Sequence, residues 1–297
     1  MNTDDYAVKA GEYLQTLCRV KPNRRTGSRG NRAATGFFLD TVRPFGYQYD
    51  AKIFECLDYM RGESSLTHAD KTFEVNISPY SLGCDLTSAL VVVSTVEELK
   101  NSSCEGQILL MRGEICAEQL MPKNFVFYNP KHHQEIIALL EKQAPAGIIT
   151  ATAKNPDQVG ALYPYPLFVD GDFDIPSLYC TESVGEEIAS CQGEELHMQI
   201  DAQRSMALGC NVIARLNPQA DKKVVFSAHI DAYEDTPGAS DNASGTVVLL
   251  LLAEMLADYE GELVIEIAVL NGEDHNSAAG QLDYLKSYGE EFDQILL

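Results

Sequence analysis

The chain has 297 residues, 45% hydrophobic and 22% charged, a composition that excludes a disordered polymer and leaves room for one large folded domain or two smaller ones. Its 44 acidic residues outnumber 22 basic ones, for a formal charge of -22. That field repels phosphate backbones and anionic lipid surfaces, so nucleic acid is disfavoured as a partner.

The N-terminal stretch MNTDDYAVKAGEYLQTLCRV opens on acids, where an export signal carries basic residues and then an apolar run. Within residues 4–20, apolar residues at Tyr6, Ala10, Tyr13, Leu14, Leu17 and Cys18 recur at three-to-four spacing and predict an amphipathic helix. NRRTGSRGNRAA follows as a loop rich in arginine, helical spacing resumes from Ala33 to Val42, and PFGYQYDAKIFEC reads as a turn into a strand. Between about Ser78 and Ser205 the texture changes to short strand-like runs, ALVVVS, GQILLMRG, AGIITATA and IPSLYC, with one clear helix at HHQEIIALLEKQ. A compact β-rich module with one or two helices is expected there, as an insertion over 58–205 between two parts of another domain, 1–57 and 206–297. His68, His132, His133 and His197 fall in this region and are expected at its surface.

GCNVIARL, KKVVFSAHID and GELVIEIAVLNGED then read as apolar strands, with SGTVVLLLLAEMLADY as a buried helix between the last two. Strand, helix, strand at this spacing is the crossover unit of an α/β sheet. The expected fold class is therefore α/β, a mixed and mostly parallel central sheet flanked by helices. The longest apolar run, Val247 to Ala253, is far shorter than the roughly 20 residues that span a bilayer, so no membrane segment is expected. Eight cysteines without a C-x-x-C pair read as free thiols, and a cytoplasmic location is expected.

Open α/β sheets place their chemistry at the carboxyl ends of their strands, which is where His229, Asp231, Glu273 and Asp274 fall. In H-x-D, His229 and Asp231 share one side of the chain, because side chains repeat every second residue. Asp231 can then accept a hydrogen bond from the imidazole whose other nitrogen holds a metal. Asp241, taken alone before a helix, is a helix cap or an Asx turn. Combined with an imidazole and the Glu273-Asp274 pair, it completes a set of nitrogen and oxygen donors suited to zinc.

SAHIDAYEDTPGASDNASGTVVLLLLAEML and VLNGEDHNSAAGQLDYL resemble the co-catalytic di-zinc aminopeptidases, a family that includes the bacterial leucyl aminopeptidases and, more distantly, glutamate carboxypeptidase II. EGQILLMRGE, APAGIITATAK and DIPSLYC are similar to the protease-associated domain often inserted in that family. The resemblance implies a zinc-exopeptidase fold and hydrolysis at the N-terminus of a peptide substrate. It implies that His229 is a ligand of one zinc, that Asp241 bridges two, that Asp274 is a ligand of the second, that Glu273 is the general base and that Asp231 orients His229. It further implies a cis Asp241-Asn242 peptide. Asp274 stands where the family usually has Glu, and the family's remaining ligands lie further along than FDQILL, so the peptidase fold is expected to be incomplete at its C-terminus. Two alternatives stay open: a non-catalytic binding protein built on the scaffold, and a single-zinc enzyme of the glutaminyl cyclase kind. The terminal QILL, as an unpaired strand, predicts self-association into a homo-oligomer.

Overall fold

A computed structural model describes residues 3–154, 163–171 and 173–289. In chain order its elements are α1 (Thr3–Cys18), α2 (Arg29–Val42), β1 (Gln48–His68), β2 (Lys71–Phe73), β3 (Asn76–Ile77), β4 (Cys84–Val93), α3 (Val96–Asn101), β5 (Ile108–Met111), α4 (Lys131–Gln143) and β6 (Gly147–Thr152). There follow β7 (Ser177–Thr181), α5 (Glu182–Ala189), β8 (Glu195–Leu216), β9 (Lys222–His229), α6 (Ser244–Met255), β10 (Leu263–Leu270) and α7 (Ala279–Tyr288). The chain divides into two compact units, Met1–Asp58 with Met206–Leu297, and Tyr59–Ser205.

In the first unit β10 is the buried strand. It runs parallel to β9, from Leu263 opposite Lys222 to Leu270 opposite His229, and antiparallel to the second half of β8, with Ile265 opposite Leu216. The β9-α6-β10 segment is thus the parallel crossover expected from its apolar pattern. α6 is apolar on nearly every face, which suits burial from several sides. Val247, Leu249 and Leu250 pack with Leu17 of α1, Phe38 of α2 and Ile265, Ile267 and Val269 of β10 in one core. α1 begins with Asp4 and Asp5 at the positive end of its dipole, and α2 begins where Ser28 Oγ accepts the Asn31 amide at 3.0 Å. One charge is buried inside the sheet: Glu266 of β10 accepts Arg215 Nε at 2.6 Å and the hydroxyl of Tyr284, which ties α7 to the strand.

The second unit corrects two expectations. Strands β4, β5, β6 and β7 are parallel neighbours, with β3 antiparallel to β7 and the first half of β8 antiparallel to β4, and three helices accompany them. It is β-rich, as expected, but its core strands are parallel and among the described residues it carries three helices, α3, α4 and α5, where one or two were expected. α3 and α5 are short and set by their caps: Thr95 Oγ1 accepts the Glu98 amide at 3.1 Å and Thr181 Oγ1 accepts the Val184 amide at 3.3 Å. His133, expected at the surface, is buried; its Nδ1 accepts the Met121 amide at 3.1 Å.

No helix among the described residues is long and apolar enough to cross a membrane, and the eight cysteines are free thiols. The terminal FDQILL, expected to leave an unpaired strand, lies outside the described residues.

Candidate metal centre

Two parallel strand ends carry the centre. β9 ends at His229, opposite Leu270 at the end of β10, and each strand hands over to a loop: Ile230 to Gly238 after β9, Asn271 to His275 after β10. The two loops are joined directly, since the Asp274 amide donates to Asp231 Oδ2 at 3.2 Å. Asp241 enters from the turn before α6, in an irregular stretch where its peptide with Asn242 is cis, as the resemblance implies. The cap-like hydrogen bond at the start of α6 is made by its neighbour, with Asn242 Oδ1 accepting the Gly245 amide at 3.0 Å, so the Asp241 carboxylate is not consumed as a cap.

All five acidic and imidazole groups picked out in the sequence converge. His229 Nε2 lies 2.9 Å from Asp241 Oδ1 and 3.8 Å from Glu273 Oε2, while Nδ1 faces Asp231 Oδ1 at 3.6 Å. Donor atoms of His229, Asp231 and Asp274 fall within 4.8 Å of one another. Burial differs sharply within the group: the Asp231 side chain is 0% exposed and that of Asp241 77%. Asp231 is near enough to be a ligand itself, but its two oxygens are directed elsewhere, Oδ2 to the Asp274 amide and Oδ1 to His229 Nδ1. At 3.6 Å its Oδ1 acts on the ring as a nearby negative charge on the Nδ1 side, while Nε2 is the ring nitrogen turned toward Asp241.

The electrostatics are those of too many anions for one cation. Burial alone would lower the His229 pKa, but Asp231, Asp274 and Glu273 outweigh it and push it up to about 9. Burial and the neighbouring Asp231 raise Asp274 to about 7, and burial is the first cause that raises Glu273. A proton on Nε2 answers Asp241 Oδ1 at 2.9 Å. Three buried polar atoms, His229 Nδ1, Asp231 Oδ1 and Asp274 Oδ2, make no hydrogen bond among the described residues. Buried polar atoms are rarely left so, and a divalent cation would relieve both the orphaned oxygens and the repulsion. The donor set of one imidazole and carboxylates fits zinc.

Among the described residues one other group has metal-donor spacing, Glu118 with His132 and His133 in the second unit. Glu118 Oε1 lies 2.7 Å from His132 Nε2 and 3.2 Å from His133 Nε2. Its chemistry is different. Nδ1 of His133 accepts a backbone amide, so a neutral ring carries its proton on Nε2 and offers no lone pair there.

Sequence reasoning passed over the polar frame around the centre. Arg24 is buried and donates to the carbonyls of Leu17, Ile230, Pro237 and Gly238. Arg25 pairs with Asp58 and, at 2.7 Å, with Glu234. Asn271, at the end of β10, accepts the Asn31 side-chain amide, donates to Thr35 Oγ1 and to the Cys210 carbonyl, and its own amide reaches Asn211 Oδ1. The signal was the cluster of three arginines and two asparagines in NRRTGSRGN, which polarity alone marks as loop. His275 is buried with its ring 4.9 Å from that of Tyr233.

Residues 211–290 match the model of Peptidase family M28. An aminopeptidase of Pseudomonas aeruginosa is 26% identical over 269 residues, covering 84% of this chain and 48% of the relative. The chain spans about half the length of the curated relatives it matches. Among solved structures, an aminopeptidase from Aneurinibacillus sp. strain AM-1 superposes with a TM-score of 0.72 at 21% identity, covering 96% of this chain and 66% of that one. A zinc aminopeptidase from Bacillus subtilis superposes with a TM-score of 0.66 at 18% identity, covering 89% and 61%. These likenesses show the fold, a mixed α/β arrangement with helices flanking a mixed sheet.

Proposed function

We propose that the centre holds zinc and serves hydrolysis of the aminopeptidase type, releasing residues from the N-terminus of a peptide. One observation carries the reading: His229 turns Nε2 toward Asp241 at 2.9 Å, with Asp231 Oδ1 facing Nδ1 at 3.6 Å and buried oxygens of Asp231 and Asp274 left without a hydrogen-bond partner among the described residues. The names of the relatives and the family model support it.

His229 Nε2, Asp241 and Asp274 are the residues that would hold the metal. For the two-zinc form of the reading, His229, Asp241 and Asp274 would be the chain's donors, with both carboxylate oxygens of Asp241 open to use. Bound zinc lowers the pKa of a coordinated water and polarises a carbonyl. The rest falls to the chain. Asp231 keeps the His229 proton on Nδ1, so that the ring stays a nitrogen donor through the cycle. Glu273, half-exposed beside the site, accepts the proton of the attacking water on its carboxylate and returns it to the leaving amine; burial raises its pKa, which strengthens it as a base. Asp274, one methylene shorter than glutamate, is drawn toward the centre by its amide bond to Asp231. The Tyr59–Ser205 unit, with parallel strands and helices between them, is assigned on this reading as the protease-associated module.

The test is Glu273→Gln in the chain loaded with zinc. Metal content should persist while hydrolysis of aminoacyl anilides drops by about 100-fold or more, the usual weight of a general base; an unchanged rate would remove Glu273 from the chemistry. Wild-type protein that binds zinc and hydrolyses no aminoacyl anilide or peptide would favour a binding role for the scaffold.

A further inference from the structure

The loop that separates His229 from Asp241 contains neither a helix nor a strand over Ile230 to Gly238, yet both donors must face the same point. Its two ends are gathered by one side chain. Arg24 Nε donates to the Ile230 carbonyl at 2.9 Å, one residue after His229. At the far end Nη1 reaches the Pro237 carbonyl at 2.7 Å and Nη2 the Gly238 carbonyl at 2.9 Å, three residues before Asp241. The remaining bond, Nη1 to the Leu17 carbonyl at 3.0 Å, anchors the guanidinium to the end of α1. A buried arginine spending its donors on four carbonyls, with no carboxylate hydrogen-bonded to it among the described residues, is costly unless the geometry it fixes is needed. Its charge also acts on Asp231 and Asp274, which gather next to it.

Gly238 supplies an independent observation. It sits at φ +53, and a Cβ there would fall 2.6 Å from Arg24 Nη2, 2.5 Å from Ala232 Cβ and 2.7 Å from the Asp241 carbonyl. Its carbonyl is shared between Arg24 and the Ala243 amide at 3.0 Å, so the guanidinium is linked through one oxygen to the turn that carries Asp241. The backbone approaches the guanidinium as closely as it does because the residue has no side chain.

We infer that Arg24 is a positioning residue for the metal centre: by drawing the carbonyls of Ile230, Pro237 and Gly238 onto one guanidinium, it holds His229 and Asp241 at the separation that a single cation requires. The inference rests on the metal reading of the site. Arg24 touches neither metal nor substrate and acts through the loop. Lysine in its place keeps the charge and loses the fork.

Cobalt(II) titration of the intact chain, followed by its d-d absorption, tests this, with circular dichroism and urea unfolding of the ion-free protein as the check on folding. Wild type should bind cobalt saturably. Arg24→Lys and Gly238→Ala, folded, should bind it about 10- to 100-fold more weakly, the range seen when an outer support of a metal ligand is removed, and with a changed absorption spectrum. Tyr284→Phe, which removes the buried hydroxyl on Glu266, should lose stability and keep both the affinity and the spectrum of wild type. Either of the two loop variants suffices should the other fail to fold. Folded Arg24→Lys and Gly238→Ala with wild-type affinity and spectrum would overturn the positioning role and leave the metal reading standing. Equal weakening in Tyr284→Phe would overturn it too, as a general loss of stability. Wild type that takes up no cobalt would overturn the metal reading and this inference with it.

Discussion

His229 in the first unit, nearly buried, and His133 in the second, fully buried, are imidazoles within reach of carboxylates, and both belong to groups whose donor atoms have metal spacing. They differ at Nδ1. In His229 it faces the Asp231 carboxylate at 3.6 Å and accepts no amide, so the ring can keep a proton there and give up the one on Nε2 to a cation; in His133 it accepts the Met121 amide, which puts the proton on Nε2. The carboxylates differ as well: Asp231 is wholly buried, whereas Glu118 is 64% exposed and solvated. Solvent already satisfies Glu118, and its two histidines hold its pKa below the usual carboxylate range. Donor proximity is therefore a poor guide to a metal site unless the hydrogen bond on the far side of each ring is known.

The comparison breaks most visibly if the wrong histidine is removed. His229→Ala should abolish cobalt or zinc uptake, a loss larger than the about 10- to 100-fold that an outer partner costs, and metal retained at wild-type affinity would end the assignment. Asp231→Asn keeps the shape and loses the anionic acceptor; a decrease of about 10- to 100-fold in affinity by competition with a chelating dye is expected. In the second unit His133→Leu should leave metal affinity untouched and lower stability in urea by about 1–3 kcal/mol, because the Met121 amide is left buried without its acceptor. The smallest effect belongs to Glu118→Gln, where an exposed pair contributes about 0–1 kcal/mol and no metal should be lost. A drop in metal content from either second-unit variant would mean that the tautomer argument fails.

Much of the centre is legible in the sequence because its donors cluster near two strand ends. His229 ends one strand with Asp231 two residues on in its loop, Glu273 and Asp274 lie in the loop after the neighbouring parallel strand, and the apolar helix between the strands fixes that parallelism, so few topologies are compatible. The second unit is less legible. ALVVVS and GQILLMRG announce their strands through apolar content, but α3 and α5 have six and eight residues and depend on caps at Thr95 and Thr181, signals easily read as turn chemistry. β1 runs to His68, far past the FEC where the apolar pattern stops; its buried Tyr59 and Leu66 are separated by the exposed stretch 60–63, so no sustained period-2 core face can be read. The burial of His133 depends on an amide twelve residues upstream meeting its ring, which pattern cannot supply. Arg24 is the plainest case. Its four partners are carbonyls of residues 17, 230, 237 and 238, and backbone oxygens carry no side-chain signature at all.

The central claim is that a cation sits at His229 Nε2. Anomalous diffraction at the zinc edge, from crystals of the chain grown with zinc, addresses it directly. The account predicts a peak bonded to His229 Nε2 and to carboxylate oxygens of Asp241 and Asp274, with Asp231 still facing Nδ1. A peak among Glu118, His132 and His133 in its place, or ordered His229 and Asp241 with no anomalous density between them, would contradict it.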